Sequence, residues 1–208
     1  MPSLKNIELI IGNSGRNFSG GTSITIQLLG YQVKEINLAV LGSRFIPTQY
    51  KTINYLQFLS LTRRKLPNGK PRVFYTRKNN EMIQGLLAKY IFGAKIKIIF
   101  SSSAQRDHTK FTKWLMSKMD SIVSTSRKAG NYLNKEPDKI ISHGIDLNRF
   151  SPPKDKDKAW QILGLPGSIG IGIFGRVRYS KGIDILVDAA LEVLPKHPRA
   201  TVIICGEV

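Results

Sequence analysis

One cysteine, Cys205, stands in 208 residues, so no disulfide can close within the chain and no thiolate metal cluster can be built from it. A reducing compartment is the simplest setting. Long apolar runs are also missing. The most apolar segment, residues 162–174, is broken by glycine and proline, and residues 1–11 lack the cationic start and apolar stretch of a signal peptide. The expectation is a chain that neither spans a membrane nor is exported. Acidic side chains are scarce, 14 against 32 Lys and Arg, which gives a formal net charge of +18. The remaining composition, 41% hydrophobic and 22% charged with 18 Gly and 10 Pro, excludes a disordered chain, a collagen and a disulfide miniprotein. A globular α/β protein of one large domain, or one and a half ordinary ones, is the default.

A field of this sign implies a polyanionic partner: nucleic acid, an anionic membrane face or a phosphorylated substrate. The charge is unevenly placed. Residues 1–150 hold 24 basic and 8 acidic side chains, residues 151–208 hold 8 and 6, so the anion-seeking surface belongs to the first part.

The pattern along the chain alternates. Residues 7–11 predict a strand, followed by the glycine-rich Gly12-Asn13-Ser14-Gly15 and by Ser19-Gly20-Gly21-Thr22-Ser23, which opens a helix through Leu29. Further strands are expected at 36–41, 72–76, 96–100, 121–124 and 139–142, and helices at 52–61, 79–92, 110–119 and 128–133. The 79–92 helix is expected to present Met82, Ile83, Leu86, Leu87, Tyr90 and Ile91 on one apolar face. Alternation of this kind predicts a mostly parallel, doubly wound sheet. Residues 151–158, with two prolines and alternating Lys and Asp, resemble a solvated linker. Beyond them a strand at 169–174, a helix at 183–194 and a strand at 200–205 make one βαβ unit, too small for a self-sufficient sheet. The chain is therefore expected to stop inside its second domain.

The strongest local motif is Phe174-Gly175-Arg176-Val177-Arg178-Tyr179-Ser180-Lys181-Gly182, between a strand and a helix. Glycines permit a tight turn, a helix N-terminus offers unpaired N–H groups, and Arg176 and Lys181 are fixed cations. Together they suit a diphosphate, although an ordinary βα loop with surface charges has the same pattern. Asp155-Lys156-Asp157 spells a metal-binding carboxylate pair but reads as solvated charge; His197 reads as a helix-terminus residue, and Trp114 and Trp160 as packing residues.

The Gly-Arg-to-Lys-Gly loop resembles that of the family 4 glycosyltransferases, retaining enzymes of the two-Rossmann-domain GT-B type. Two other segments share the resemblance. Residues 141–152, Ile-Ser-His-Gly-Ile-Asp-Leu-Asn-Arg-Phe-Ser-Pro, are similar to that family's interdomain signature, with His143 where Asn is usual, and Phe18-Ser19-Gly20-Gly21 is similar to its N-terminal glycine loop. Arg77-Lys78-Asn79-Asn80-Glu81-Met82 and residues 104–115 look like the lipopolysaccharide core mannosyltransferases of α-proteobacteria.

The resemblance implies a complete Rossmann-like acceptor domain over residues 1–150, then a linker and partial donor domain over 151–208. It implies transfer of mannose from GDP-mannose to a Kdo residue of the inner core, with retention and without a metal. Gly20, Gly21, Arg176 and Lys181 would hold the donor diphosphate. Arg16, Arg77, Lys78 and Arg106 are candidate contacts for an anionic acceptor of lipid A and Kdo. Many family members carry a His after the strand equivalent to 96–100; here that stretch reads Ser101-Ser102-Ser103-Ala104-Gln105, and His108 is the nearest catalytic candidate. The family's later carboxylate motif lies beyond Val208, and Glu207 does not replace it. Little transferase activity is therefore expected of these 208 residues alone. The implied location is cytoplasmic, at the inner face of the cytoplasmic membrane, held there by anionic lipid and without nucleic acid. Two other readings fit parts of the sequence. A nucleic-acid-binding module is favoured by a pI of about 10.2 but lacks an RNA-binding or helix-turn-helix signature, and an inactive gene remnant is compatible with every motif.

Overall fold

A computed structural model of the chain describes residues 4–206, which form two compact units meeting between Phe150 and Ser151. The first is built on β1 (Leu9–Gly12), α1 (Gly20–Glu35), β2 (Leu38–Leu41), β3 (Thr52–Ile53), α2 (Tyr55–Thr62), β4 (Arg72–Thr76), α3 (Asn79–Tyr90), β5 (Ile96–Ser102), α4 (Lys110–Ser117), β6 (Ser121–Ser124), α5 (Arg127–Gly130) and β7 (Lys139–Ile140). All seven strands are parallel, in the order β3-β2-β1-β4-β5-β6-β7. The doubly wound expectation is borne out. The chain order reverses between β1 and β4, the place where parallel α/β sheets open a crevice beyond the strands' carboxyl ends.

Both faces of β1 are buried. Ile10 joins Phe74, Ile98, Phe100 and Ile122 beneath Phe58, Met82, Leu115 and Met116 from α2, α3 and α4. Ile11 points the other way, into a smaller cluster with Val40, Leu38, Ile46 and Leu29 of α1. Such two-sided burial explains why these strands read as continuous apolar runs. Helix α3 approaches the sheet through a glycine: a Cβ on Gly85 would lie 2.9 Å from Phe74 and 3.1 Å from Ile98.

The same aspartate device recurs at the other end of the sheet. Asp120, just before β6, accepts from the Ile98 amide at 2.8 Å and from Lys89 and Lys97 at 2.7 and 3.0 Å. Asp138, just before β7, accepts from the Ile122 amide and Ser121. Burial pushes the Asp120 carboxyl up, but its hydrogen bonds from Lys89, Ile98 and Lys97 outweigh that, and the net shift is downward.

Four expectations need correction. Residues 52–53 are a short strand pairing with β2, and the helix starts only at Tyr55, after the capping box of Asn54 and Gln57. The buried face of α3 is Glu81, Met82, Gly85 and Ala88; Tyr90 and Ile91, at and just beyond its C-terminal end, are 67% and 68% exposed. Trp114 does not bury itself: it is half-exposed and stacked on Phe111. The linker is shorter than expected, since Asp155 caps α6 (Lys156–Ile162) by accepting from the amides of Asp157 and Lys158.

The second unit holds α6, β8 (Ile169–Phe174), α7 (Ile183–Val193) and β9 (Ala200–Cys205), with β8 and β9 paired in parallel. Trp160 packs on Gly170 and donates to the Gly167 carbonyl. None of this unit's described residues is buried. Its sheet residues Ile169, Ile171 and Ile204, and Leu191 of α7, stand largely in solvent, as expected of a two-stranded sheet without covering layers.

Candidate functional site

The loops after β1, β4 and β5 converge at the carboxyl end of the first unit's sheet, and a buried carboxylate fastens two of them. Glu81, in the first turn of α3, is fully buried. Its Oε1 accepts from the Ser14 amide at 3.2 Å and the Ser14 hydroxyl at 2.9 Å, and its Oε2 from the amides of Arg77 and Lys78 at 2.7 and 3.2 Å. Gly12 allows this approach, since a Cβ there would lie 3.0 Å from the Glu81 side chain. From this anchor the β1 loop runs to Ser19, whose hydroxyl accepts from the Thr22 amide and caps α1.

Arg77 ties the same loop to α1. Its guanidinium donates to the carbonyls of Gly21 at 2.6 Å and Gly12 at 3.2 Å, while its buried Nε has no partner. It therefore works as a clamp between backbone segments, and its charge lies at the junction of two cavities. Lys78 lies over Gly15, where a Cβ would come within 2.6 Å of its ammonium group. A Cβ on Gly20 would meet nothing within 4 Å, leaving the α1 N-terminus open to an approaching ligand.

The first cavity, about 490 Å³, is polar: Arg77, Asn79, Ser101, Ser102, Ser103, Arg106, His108 and Thr109 are among its lining. Ser102 is buried, and its hydroxyl lies 3.5 Å from Nε2 of His108. Burial lowers the His108 pKa, the charges of Lys113 and Arg106 lower it further, and Asp107 opposes them. The ring is thus neutral at pH 7 and can both donate and accept hydrogen bonds. Thr109 caps α4, and Asn79 donates to Thr112 at 2.8 Å, joining the starts of α3 and α4 at this cavity. The second cavity, about 480 Å³, is an apolar groove between α1 and the sheet, lined by Leu9, Ile11, Ile24, Leu28, Tyr75 and Ile99, with Arg77, Lys78 and His143 also in its lining.

In the second unit, residues 175–182 join β8 to α7. Gly175 and Gly182 have φ of +136° and +69°, conformations that favour glycine. Gly182 also caps α7, so Lys181 directly precedes the helix N-terminus. Arg176 and Lys181 are exposed, and neither is ion-paired among the described residues. The loop thus combines two free cations, a glycine corner and open helix amides, a set that can hold a phosphate.

The predicted residues fall into three groups. Arg16, Gly20, Gly21, Arg77 and Lys78 surround the β1 loop, Arg106 and His108 share the polar cavity with Arg77, and Arg176 and Lys181 sit in the second unit. Glu207 lies outside the described residues. Among the described residues, no three of His, Cys, Asp and Glu are placed to hold a metal ion. Glu81 and Ser102 did not figure among the predicted site residues. For Glu81 a signal existed, an acid in the first turn of a helix with no capping side chain before it; for Ser102 only the fold supplies His108.

No family model matches the chain. It is 38% identical, over its whole length, to the lipopolysaccharide core biosynthesis mannosyltransferase LpcC of Rhizobium leguminosarum bv. viciae. It is 37% identical over 99% of its length to LpsB of Rhizobium meliloti, a lipopolysaccharide core biosynthesis mannosyltransferase as well. The chain spans about 58% of the length of each. Among solved structures, Anabaena Alr3699/HepE in complex with UDP-glucose is similar over 96% of this chain and 60% of that one, with a TM-score of 0.70 at 16% identity, a likeness that shows the fold, of the GT-B type.

Proposed function

This chain is a relative of the lipopolysaccharide core biosynthesis mannosyltransferases over its whole length, and from that premise we propose that it is the acceptor-side domain and the start of the donor domain of a glycosyltransferase in lipopolysaccharide core assembly. The donor is GDP-mannose, the acceptor a Kdo residue on lipid A, and the anomeric configuration is retained. The observation that carries this is the pairing of a match over the whole of this chain, and 58% of the relative, to a named mannosyltransferase with a cation-bearing glycine loop at the N-terminus of α7.

Each group of residues has a chemical task. Arg176 and Lys181 neutralise the diphosphate as it leaves, an interaction that strengthens as charge builds on the departing oxygen and so lowers the barrier. They supply that stabilisation without a metal. Gly20 and Gly21 leave the N-terminus of α1 open to a phosphate, since a Cβ on Gly20 would meet nothing within 4 Å. Neutral His108, steadied by Ser102, hydrogen-bonds the transferred sugar. Arg16, Lys78 and Arg106 attract the anionic acceptor, and Arg77 clamps the end of β1 to the start of α1.

The acceptor is anchored in a bilayer, so the enzyme works as a peripheral protein on the inner face of the cytoplasmic membrane. No helix among the described residues is long and apolar enough to cross a membrane. Support for surface contact comes from α4, which begins at the polar cavity. Phe111 and Trp114 are 53% and 54% exposed and stack at 6.0 Å, beside Lys110, Lys113 and Lys118. Lysines at an anionic surface contribute about 1 kcal/mol each, and aromatic rings favour the headgroup layer.

The test is a chimera. The 208 residues replace the matching part of the Rhizobium leguminosarum enzyme, and mannose transfer from GDP-mannose to Kdo-bearing lipid A is measured. Transfer is expected, with a loss of about 10²-fold or more in the Arg176→Ala/Lys181→Ala variant. A folded chimera with no transfer, or a double variant with unchanged donor affinity, refutes the proposal.

A further inference from the structure

Beyond the two cavities, the carboxyl ends of β1 and β2 carry a feature that folding does not account for. Phe45 has φ of +64°, the only non-glycine residue with positive φ among the described residues. A bulky side chain there is strained and persists only where its surroundings impose it. Those surroundings are visible. The buried Asn13 side chain donates to the carbonyls of Gly42 and Arg44 at 3.2 and 2.9 Å. Arg44 donates to the Arg16 carbonyl at 2.6 Å, linking this loop to the β1 loop. Nevertheless the strain does not place Phe45 in the core. The residue is 44% exposed, and its ring meets Phe18, itself 48% exposed, edge to face at 5.6 Å and 88°. The Arg44 guanidinium lies 5.8 Å from the Phe45 ring centroid. Arg16 and Arg44 are exposed, and neither forms an ion pair among the described residues.

We propose that Phe18, Phe45, Arg44 and Arg16 form a binding subsite for an anionic saccharide. The exposed aromatic surface takes the apolar C–H face of a sugar ring, and the two guanidinium groups take its carboxylate or phosphate. The subsite lies at the same end of the sheet as the polar cavity, and Phe18 directly precedes Ser19, the cap of α1, so a saccharide held here borders the opening at Gly20. The inference rests on the glycosyltransferase proposal and deepens it, assigning recognition of the acceptor's charged sugar to a strained aromatic corner. The strain fits that role, because a ring fixed before binding loses little freedom when the ligand arrives.

The experiment is a titration of the 208-residue chain, carrying labelled Phe rings and Arg side chains, followed by nuclear magnetic resonance. The probes are the methyl glycoside of Kdo for a carboxylate, N-acetylglucosamine 1-phosphate for a phosphate, and methyl mannoside as the neutral control. Expected are shifts of the Phe18 and Phe45 rings with at least one anionic probe and affinity at least fivefold weaker for methyl mannoside. Arg44→Gln removes that preference. Phe45→Gly, which relieves the strain and keeps the loop folded, weakens binding about tenfold, whereas Phe45→Tyr stays within threefold. If the anionic probes move the amides of residues 101–108 and leave both rings unmoved, the subsite is overturned while the enzyme proposal stands. If no saccharide moves any resonance, the subsite is overturned, while the enzyme proposal stands or falls by mannose transfer in the chimera.

Discussion

Replacing Glu81 should cost the first unit more than its position on a short helix would suggest. The carboxylate serves two loops at once, Oε1 on Ser14 and Oε2 on the amides of Arg77 and Lys78. Glu81→Ala leaves the amides of Ser14, Arg77 and Lys78 without an acceptor, while the Ser14 hydroxyl keeps Asn80 at 2.9 Å. A buried donor left unsatisfied costs about 1–3 kcal/mol, and the emptied volume adds a cavity penalty. Allowing for water reaching the loop, the loss is about 3–5 kcal/mol. At about 2–4 °C per kcal/mol for a domain of this size, melting falls by roughly 10 °C. Glu81→Gln is a sharper probe. Its carbonyl can still serve Arg77 and Lys78, and its amide can donate to the Ser14 hydroxyl, so only the Ser14 N–H is orphaned, for about 1–2 kcal/mol. Urea unfolding followed by circular dichroism gives both values, and hydrogen exchange at Ser14, Arg77 and Lys78 shows whether the loops loosen locally. A Glu81→Ala variant less than about 1 kcal/mol weaker than the parent, or a Glu81→Gln variant equally damaging, would mean that Glu81 does not fasten the loops.

Gly85→Ala should destabilise although alanine is the better helix former by about 1 kcal/mol. The added carbon falls 2.9 Å from Phe74 and 3.1 Å from Ile98, both fully buried, and overpacking of about 1–3 kcal/mol dominates; a melting temperature at or above the parent's contradicts this. Asp120→Asn should flatten the acid limb of stability. The carboxyl's native pKa is held below its ordinary value of about 3.8, so its contribution is complete above that value and disappears as pH falls through the lower native one. The variant's deficit at pH 7 therefore vanishes in strong acid, and a deficit independent of pH would show that the lysine and amide contacts act otherwise.

The legible part of the fold was the local part. Strands β4 and β6 cover the residues expected of them, and α1 begins at Gly20, inside the 19–23 stretch expected to open it. Sequence and structure part where neighbours along the chain do not decide burial. Leu87, Tyr90 and Ile91 keep helical spacing with Met82, yet the sheet lies under Gly85 and Ala88 instead. Residues 52–53 look helical by continuity with 55–61 and become a strand only because β2 offers an unpaired edge. Trp114 reads as a packing residue, but α4 turns Leu115 and Met116 inward and leaves it half-exposed on Phe111.

The amino-acid order by itself determined the α/β alternation, the break near residue 150, the concentration of positive charge in the first part and the cation-bearing glycine corner before α7, since each depends on spacings of a few residues. Only the tertiary structure decided that Glu81 meets Ser14, that Arg77 closes on Gly21, and that Arg44 and Phe45 stand beside Arg16 and Phe18. Those partners are 67, 56 and about 28 residues apart. Their meeting is a consequence of strand order, because pairing β1 with both β2 and β4 brings the loops after all three strands to one edge, and no short-range pattern encodes which strands become neighbours.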